Sequence, residues 1–326
     1  MPKVSCAFPP VPSTPDHIAL AEQLGHANAW CYDTPALQTD VWMTLARAAD
    51  RTSRIGLGPA VLIPSLRHVL TTAAAIATLV DLAPGRTSIG VGTGFTGRLA
   101  LGQRPLPLAA VREYVVKLRA LLAGESVEVD GSLVEMLHGP GQAPSRPIEV
   151  PFLFAIGGPK SATLAAEMFD GIFTVVPTPG FDWSVLMALG TVLDEGETFS
   201  SPRVIEAAGP GATVLFHAGY EQALLAGLDQ VPGAQDWRNE IEKVPAAERH
   251  LRTHEGHLTY LNDTDRKVVD GSIIEQLTFS GSVEQLRRRL ADVESAGVTE
   301  VVYQPSGSDI ERELTAFARM AELGGR

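Results

Sequence analysis

Residues 81–95, DLAPGRTSIGVGTGF, contain one complete repeat of the pattern that sets the architecture of this chain. An apolar helical pattern, His68–Ala83, stops at Pro84-Gly85, where proline and glycine favour a turn. A short β-branched run, Thr87–Val91, follows at once and leads into a glycine-rich loop. A helix, a tight turn and a buried strand in this order make one unit of a parallel sheet.

The same alternation extends in both directions along the chain. Strands are predicted at Val4–Phe8, Ala27–Tyr32, Arg54–Gly58, Thr87–Val91, Pro151–Ile156, Gly171–Val176, Arg203–Ala207 and Thr299–Tyr303. A first helix is capped by Ser13 or Thr14, and others are predicted at Asp40–Arg51, His68–Ala83, Pro107–Gly124, Lys160–Phe169, Trp183–Leu193, Val283–Ala296 and Asp309–Leu323. Residues 212–270 are predicted to be mostly helical.

The number of strand–helix units favours a closed barrel. Right-handed crossovers either wind a parallel sheet open or close it. About eight units in 326 residues predict a (β/α)8 TIM barrel, with an open doubly wound sheet as the alternative. Residues 125–150 break the alternation with Asp130-Gly131 and Gly139-Pro140-Gly141, which indicates an insertion between the fourth and fifth strands. We therefore treat residues 1–326 as a single barrel domain.

Composition narrows the class of partner. The chain has 38 acidic and 26 basic residues, a formal net charge of −12, and no Lys/Arg block, which argues against nucleic-acid or anionic-membrane partners. Cys6 and Cys31 fall in predicted strands, which suits a reducing compartment. The most apolar long stretch, Val69–Ala83, is too short to span a bilayer. We expect a cytoplasmic protein that acts on a small molecule.

The loop after the fourth strand fits G-x-G-x-x-G from Gly92 to Gly97. A dinucleotide fingerprint also needs a helix opening at once, which Gly102, Pro105 and Pro107 oppose, and an acidic residue about 20 positions on, which is missing. We favour a loop poor in side chains, against which an aromatic ring system lies. A simple glycine-rich turn is the alternative.

Two further loops follow predicted strands. Gly157-Gly158-Pro159-Lys160-Ser161 ends a strand and opens a helix, so it is either a phosphate site or a capping turn. Thr174–Thr178 offers donors near the same place. The apolar loop Gly58–Pro64 is either a packed turn or a bed beneath a planar ring, and the sequence leaves both open.

Histidines cluster in Arg249–His257. His250 and His254 share a helix face, but H-E-x-x-H is absent, and we predict no metal site. A solvated helix end is favoured over a histidine in a substrate pocket. No G-x-S-x-G nucleophile motif occurs, so a hydrolase has no residue to carry it.

Together these residues resemble the bacterial luciferase-like superfamily of flavin and deazaflavin oxidoreductases, and within it the coenzyme F₄₂₀-dependent branch of the methylene-tetrahydromethanopterin reductase type. The likeness runs along most of the chain. It is carried by residues 51–58 (RTSRIGLG), 81–94 (DLAPGRTSIGVGTG), 155–160 (AIGGPK), 170–173 (DGIF), 296–298 (AGV) and 300–302 (EVV).

The resemblance implies a flavin or deazaflavin at the carboxyl ends of the strands and a homodimer. It places a non-prolyl cis peptide at Ala60–Val61, behind the ring, and an acidic residue, Asp33, near the pyrimidine edge. The residues it implies for the cofactor are Asp33, Ala60, Val61, Gly92, Thr93, Gly94, Phe95, Gly157, Gly158, Pro159, Lys160, Ser161 and Thr174.

The chain departs from the glucose-6-phosphate-oxidising relatives at two positions. Those carry Asp-His after the second strand and a glutamate after the fourth-strand glycines, whereas this chain has Asp33-Thr34 and Phe95. Sugar oxidation is therefore in doubt, and Phe95 indicates an apolar substrate.

The leading hypothesis is hydride transfer between coenzyme F₄₂₀ and an unidentified, fairly apolar small molecule. His257 and His68 are the candidate proton donors because an imidazole titrates near neutral pH, although a histidine on a helix surface is the simpler interpretation of each. The alternatives are an FMN-dependent monooxygenase that uses O₂ and a non-catalytic barrel that binds flavin or another ligand.

Overall fold

Eight parallel strands form the core of the computed structural model, which describes residues 1–222 and 231–324. They are β1 (Lys3–Phe8), β2 (Asn28–Cys31), β3 (Gly56–Pro59), β4 (Ile89–Val91), β7 (Phe152–Ala155), β8 (Gly171–Thr174), β9 (Ser184–Leu189) and β10 (Glu300–Gln304). Their order is β3-β2-β1-β10-β9-β8-β7-β4. Parallel bridges from Leu57 to Thr87 and from Leu62 to Val91 join the two end strands. The sheet therefore closes, and the predicted TIM barrel is confirmed over the open sheet.

Helices surround this barrel. They are α1 (Thr14–Leu24), α2 (Val41–Ala49), α3 (Val69–Leu82), α4 (Phe95–Leu99), α5 (Leu108–Ala123), α6 (Pro159–Met168), α7 (Pro202–Ala212), α8 (Val214–Gln222), α9 (Ala234–Ile241), α10 (Arg249–Thr253), α11 (Asp263–Arg266), α12 (Gly271–Leu277), α13 (Val283–Ser295) and α14 (Ile310–Met320), with a 3₁₀ turn at Pro64–Leu66. The stretch predicted as mostly helical includes residues 223–230, which lie outside the described residues. In the described part of the chain, no helix has the length and apolarity needed to cross a membrane.

Two neighbouring predictions were wrong: the structure has a strand where a helix was expected and a helix where a strand was expected. Residues 183–193, predicted as a helix, contain strand β9, and residues 203–207, predicted as a strand, lie in helix α7. Strand β9 is buried on both faces, so its continuous apolar run carries no period that separates a strand from a helix. Helix α7 begins with the cap residue Ser201 and the first-turn Pro202, which are signals for a helix start. The β-branched residues that follow them favour a strand, and the prediction followed those residues.

The loop after β4 also differs from the expectation. Helix α4 opens at Phe95, directly after Gly94, whereas Gly102 and the prolines beyond it were expected to prevent a helix there. Those residues end the helix after five residues and do not block its start. The insertion between β4 and β7 carries an antiparallel hairpin, β5 (Val127–Val129) and β6 (Ser132–Val134), with Asp130-Gly131 at its turn.

A buried carboxylate closes the amino-terminal end of the barrel. Glu300, the first residue of β10, is fully buried and accepts hydrogen bonds from Asn28 Nδ2, Trp30 Nε1 and Trp183 Nε1. Three donors satisfy one charge that burial would otherwise make costly. Structural side chains therefore fill the barrel interior around Glu300.

Replacing Trp183 with Phe tests that network. The indole nitrogen donates to Glu300 Oε2 at 2.9 Å, so its loss is expected to lower the free energy of unfolding by about 2 kcal/mol. Trp42→Phe is the matched control, because the buried Nε1 of Trp42 has no hydrogen-bond partner among the described residues. Urea denaturation of both variants measures the difference. Equal losses in the two variants would mean that the bond to Glu300 contributes nothing.

A candidate active site at the carboxyl ends of the strands

A cavity of about 180 Å³ opens where the barrel strands end. Its floor is formed by barrel side chains, and its walls by the loops after β2, β3 and β4. The walls are mostly apolar, and they include Ala60, Val61, Ile63, Ala155 and Phe173. In a TIM barrel this is the end at which active sites are built. The cavity is therefore the candidate active site.

The loop after β3 forms one wall, and it contains the predicted backbone feature. The peptide bond between Ala60 and Val61 is cis, as expected. The amide of Ala60 donates to the carbonyl of Cys31, and that of Leu62 to the carbonyl of Gly90. These bonds tie the loop to both neighbouring strands. Ala60 and Val61 consequently present a fixed surface to the cavity.

Glycines let the loop after β4 lie directly on this surface. A Cβ on Gly92 would come within 2.6 Å of Val61 Cγ2, and one on Gly94 within 2.7 Å of Ile63 Cγ2. Gly94 also has a φ of +85°, which a side chain disfavours. Glycine is therefore required at both positions because the loop after β4 lies directly against the loop after β3.

The predicted ring-loop residues divide into two groups. Gly94 and Phe95 line the cavity, and so do Thr96 and Gly97, which were not predicted. Gly92 and Thr93 do not line it. The carbonyl of Thr93 accepts a hydrogen bond from the amide of Leu106, so Thr93 holds the far end of the loop in place.

Asp33 lines the cavity as part of a buried ion pair. Its Oδ2 lies 2.5 Å from Arg67 Nη1, and Arg67 Nη2 lies 2.8 Å from Asp40 Oδ2. Burial raises the pKa of Asp33 above its ordinary value, against the opposing effect of the Arg67 guanidinium. The polar edge of the cavity therefore carries a carboxylate whose charge depends on Arg67.

The predicted phosphate site is an exposed helix terminus beside the cavity. Gly157, Gly158, Pro159 and Lys160 are exposed, and a Cβ on either glycine would meet nothing within 4 Å. The amides of both glycines donate to the Ser161 hydroxyl, at 2.9 and 3.0 Å. None of these residues lines the cavity, but Ala155 does, and three residues of chain span at most about 11 Å.

Thr174 also lies outside the cavity lining. The residue is buried, and its hydroxyl donates to the carbonyl of Val176 at 2.6 Å. It accepts from the Val176 amide at 3.3 Å. The hydroxyl is thus engaged in the turn after β8.

The two candidate proton carriers lie in different places. His68 is exposed and caps α3, where its Nδ1 accepts from the Leu70 amide at 3.2 Å, and it does not line the cavity. His257 lines the cavity, and its Nε2 lies 3.1 Å from the Thr96 hydroxyl. Burial lowers the pKa of His257 well below its usual value, with the neighbouring His217 and His254 adding to the effect. His257 is the candidate that the fold brings to the site.

Behind His257 lies a chain of buried polar groups that sequence reasoning missed. His257 Nδ1 is 2.7 Å from His217 Nδ1, and His217 Nε2 is 3.3 Å from Asp265 Oδ1. Trp237 Nε1 donates to the same Asp265 oxygen at 2.8 Å. His217, Trp237 and Asp265 lie on α8, α9 and α11, and His217 is 40 residues before His257. No short motif in the sequence links them.

His254 joins the same cluster from α10's carboxyl end. One nitrogen from each of His217, His254 and His257 lies within 4.8 Å of the others, a spacing that a metal ion can bridge. The facing nitrogens of His217 and His257 are, however, paired with each other in a hydrogen bond. Burial lowers the pKa of His254 to about 3, and its ring nitrogens have no hydrogen-bond partner among the described residues. The absence of a metal remains a prediction.

Comparisons with known proteins agree on the family to which this chain is similar. A profile of the luciferase-like monooxygenases matches residues 6–300. A 5,10-methylenetetrahydromethanopterin reductase of Methanolobus tindarius is 26% identical over 95% of this chain and 97% of its own. An F₄₂₀-dependent glucose-6-phosphate dehydrogenase of Beutenbergia cavernae is 39% identical over 39% of each chain.

A solved structure supports the fold over the whole described chain. The coenzyme F₄₂₀-dependent tetrahydromethanopterin reductase of Methanopyrus kandleri superposes with a TM-score of 0.73 and covers 98% of both chains. At 20% sequence identity, this likeness concerns the architecture.

Proposed function

The chain belongs to the luciferase-like monooxygenase family and is an enzyme, and from that premise we propose that it is a coenzyme F₄₂₀-dependent oxidoreductase acting on a fairly apolar small molecule. The observation that carries the proposal is the mostly apolar cavity at the carboxyl ends of the strands, with His257 at its edge. The Beutenbergia cavernae dehydrogenase and the Methanopyrus kandleri reductase are both named as F₄₂₀-dependent, which supports the choice of cofactor.

The residues present fit a tricyclic ring with a phosphorylated tail. Ala60, Val61, Ala155 and Phe173 would face the ring with apolar surface. The exposed start of α6 would receive the phosphate, since backbone amides and the helix dipole favour an anion there. Lys160, at the first turn of α6, adds a positive charge at the same place.

When bound, the deazaflavin supplies the hydride chemistry. The chain's own residues position the reactants, exclude water and move a proton. The loops after β3 and β4 form a fixed wall, and the mostly apolar lining keeps water from the reacting atoms. His257, held neutral by burial, offers a nitrogen at the cavity edge to accept or return a proton.

The substrate class follows from the lining. Phe95 and Leu37 contribute apolar surface on the side of the cavity formed by the loops after β2 and β4. The only charged carboxylate among the lining residues of the described chain, Asp33, is bound to Arg67. We accordingly propose an apolar substrate, with a homodimer in the cytoplasm as the working form.

Cofactor binding tests the proposal directly. Purified protein is expected to bind coenzyme F₄₂₀ in calorimetry or equilibrium dialysis and to leave FMN unbound. Ala155→Phe places a phenyl ring in the cavity and should abolish binding, whereas Ala166→Phe, on the exposed face of α6, should not. Uptake of FMN alone would favour a monooxygenase. Binding of F₄₂₀ without oxidation of its reduced form by a broad panel of acceptors would favour a non-catalytic binding protein.

A further inference from the structure

The buried groups behind His257 are connected end to end. Thr96 Oγ1 lies 3.1 Å from His257 Nε2, His257 Nδ1 lies 2.7 Å from His217 Nδ1, and His217 Nε2 lies 3.3 Å from Asp265 Oδ1. All of them except Thr96 are buried, and Thr96 and His257 line the cavity. The chain thus begins at the candidate active site and ends in the protein interior.

We propose that His257, His217 and Asp265 form a proton relay with one fixed direction, in which His257 Nε2 is the proton acceptor that faces the cavity. The assignment deepens the proposed function and rests on it for its role in turnover. His257 would be the catalytic residue, while His217 and Asp265 would be positioning residues that act through it.

The carboxylate sets the direction of the relay. Asp265 Oδ1 already accepts from Trp237 Nε1 at 2.8 Å, so it also accepts from His217, and the proton of neutral His217 must sit on Nε2. Its Nδ1 is then an acceptor, which requires the proton of neutral His257 to sit on Nδ1. His257 Nε2 is consequently left with a lone pair, towards which the Thr96 hydroxyl donates.

The surroundings keep the resting relay neutral at the cavity. Burial lowers the pKa of His257, and the adjacent His217 and His254 oppose a positive charge on it. Other titratable groups near the cluster include His250, Glu221, whose Oε1 lies 3.9 Å from His254 Nε2, and the Asp265 carboxylate itself. At the far end of the relay, the His217 ring lies beside the Asp265 carboxylate, whereas no carboxylate is bonded to His257.

The relay balances a hydride transfer from a carbon that bears a hydroxyl group. In such an oxidation the substrate's carbon–hydrogen and oxygen–hydrogen bonds would break and a carbonyl would form, and a bound deazaflavin would supply the acceptor for the hydride. The hydroxyl proton passes to His257 Nε2, and the Nδ1 proton of His257 passes to His217 Nδ1. The positive charge finishes on His217, beside the Asp265 carboxylate, and the reverse sequence supplies the proton for a carbonyl reduction.

Nitrogen NMR of the histidine rings tests the assignment without a substrate. With ¹⁵N-labelled histidine and assignment by single substitutions, His257 is expected to show a protonated Nδ1 and an unprotonated Nε2, and His217 the opposite. The reverse pattern would overturn the relay. So would a stoichiometric metal ion in the purified protein, because the facing Nδ1 atoms would then be its ligands.

Two variants show whether the relay imposes this pattern. His217→Phe removes the partner of His257 Nδ1 and should leave the two His257 tautomers mixed. His254→Phe is the matched control: its ring centre lies 5.4 Å from that of His257, but among the described residues it makes no hydrogen bond. The control should leave the His257 tautomer unchanged. If His217→Phe folds poorly, Asp265→Asn provides the second test. It should weaken the preference of the His217 proton for Nε2.

Turnover shows whether the relay is used. With an acceptor that oxidises reduced F₄₂₀, His217→Phe should lower kcat at least about tenfold, a part of the ~10²–10⁴-fold that acid–base catalysis contributes, and change KM little. An unchanged kcat would overturn the catalytic role even if the tautomers are as assigned. Failure of F₄₂₀ to bind would instead contradict the proposed function, and the NMR result would stand by itself.

Discussion

Replacing His257 with Gln is expected to lower kcat by about 10²–10⁴-fold, the range that general acid–base catalysis contributes, while coenzyme F₄₂₀ still binds. The imidazole lines the cavity and its Nε2 lies 3.1 Å from the Thr96 hydroxyl. Glutamine can keep a hydrogen bond to Thr96 but cannot carry a proton between two neighbours. Single-turnover oxidation of reduced F₄₂₀, measured beside the binding affinity, separates the two effects.

His68→Gln is the control for this variant. His68 is exposed at the start of α3 and its ring accepts only a capping hydrogen bond from Leu70. Its loss should cost about 1 kcal/mol of stability or less and leave kcat within about twofold. If His257→Gln turned over as fast as His68→Gln, the proton would have to enter through another group, and the relay behind His257 would have no part in the reaction.

The barrel was predictable because its signals are local. The end of helix α3, the turn at Pro84-Gly85 and strand β4 follow one another within a few residues, and similar units recur along the chain. Strand β9, which was predicted as a helix, and helix α7, which was predicted as a strand, show the limit of that reasoning. A strand buried on both faces has no alternating pattern, so only its neighbours in the sheet identify it.

The site was predictable to the extent that it follows the ends of single strands. Asp33, Ala60, Val61, Gly94 and Phe95 line the cavity because each lies within four residues of the end of a barrel strand, and their role in cofactor binding stays a prediction. His217 and Asp265 were missed because helices α8 and α11 bring them together from distant parts of the chain: His217 lies 40 residues before His257 and 48 residues before Asp265. Histidines brought together from distant parts of the chain follow no spacing rule in the sequence, although a buried cluster of this kind is visible once the fold is known.

The structure gives a different reason for the glycines in the loop after β4. From the sequence, Gly92 and Gly94 were predicted to make room for a ring. In the structure, side chains at these positions would meet Val61 and Ile63, which belong to the loop after β3. The requirement for glycine therefore comes from packing between two loops, and only the outcome of that packing, a smooth wall, serves the cavity.

Arg67→Met should cost about 3 kcal/mol of stability at pH 8, because removing one partner of a buried ion pair leaves the other charge unpaired. The Asp33 side chain is 1% exposed and that of Arg67 14% exposed. The slight exposure of Arg67 places the expected cost at the lower end of the range for buried pairs. Urea denaturation at several pH values measures it.

The loss of stability caused by Arg67→Met should depend on pH. Burial already raises the pKa of Asp33, and Arg67 opposes that effect, so the substitution raises the pKa further. A carboxyl group with a raised pKa in the folded state holds its proton there more tightly than in the unfolded chain. The variant therefore loses stability as the pH rises from the ordinary Asp pKa through the raised one, and its deficit should be smaller at pH 5 than at pH 8.

Two further variants separate the buried charge from the loss of a large side chain. Arg51→Met removes an ion pair with Asp16 whose side chains are 39% and 69% exposed, and it should cost less than about 1 kcal/mol at either pH. Adding Asp33→Asn to Arg67→Met removes the unpaired charge, so it should restore most of the loss at pH 8 and abolish the difference between the two pH values. A deficit that is equal at both pH values and unchanged by Asp33→Asn would mean that Arg67 stabilises the loop by packing alone. The cavity edge would then carry no charge that depends on it.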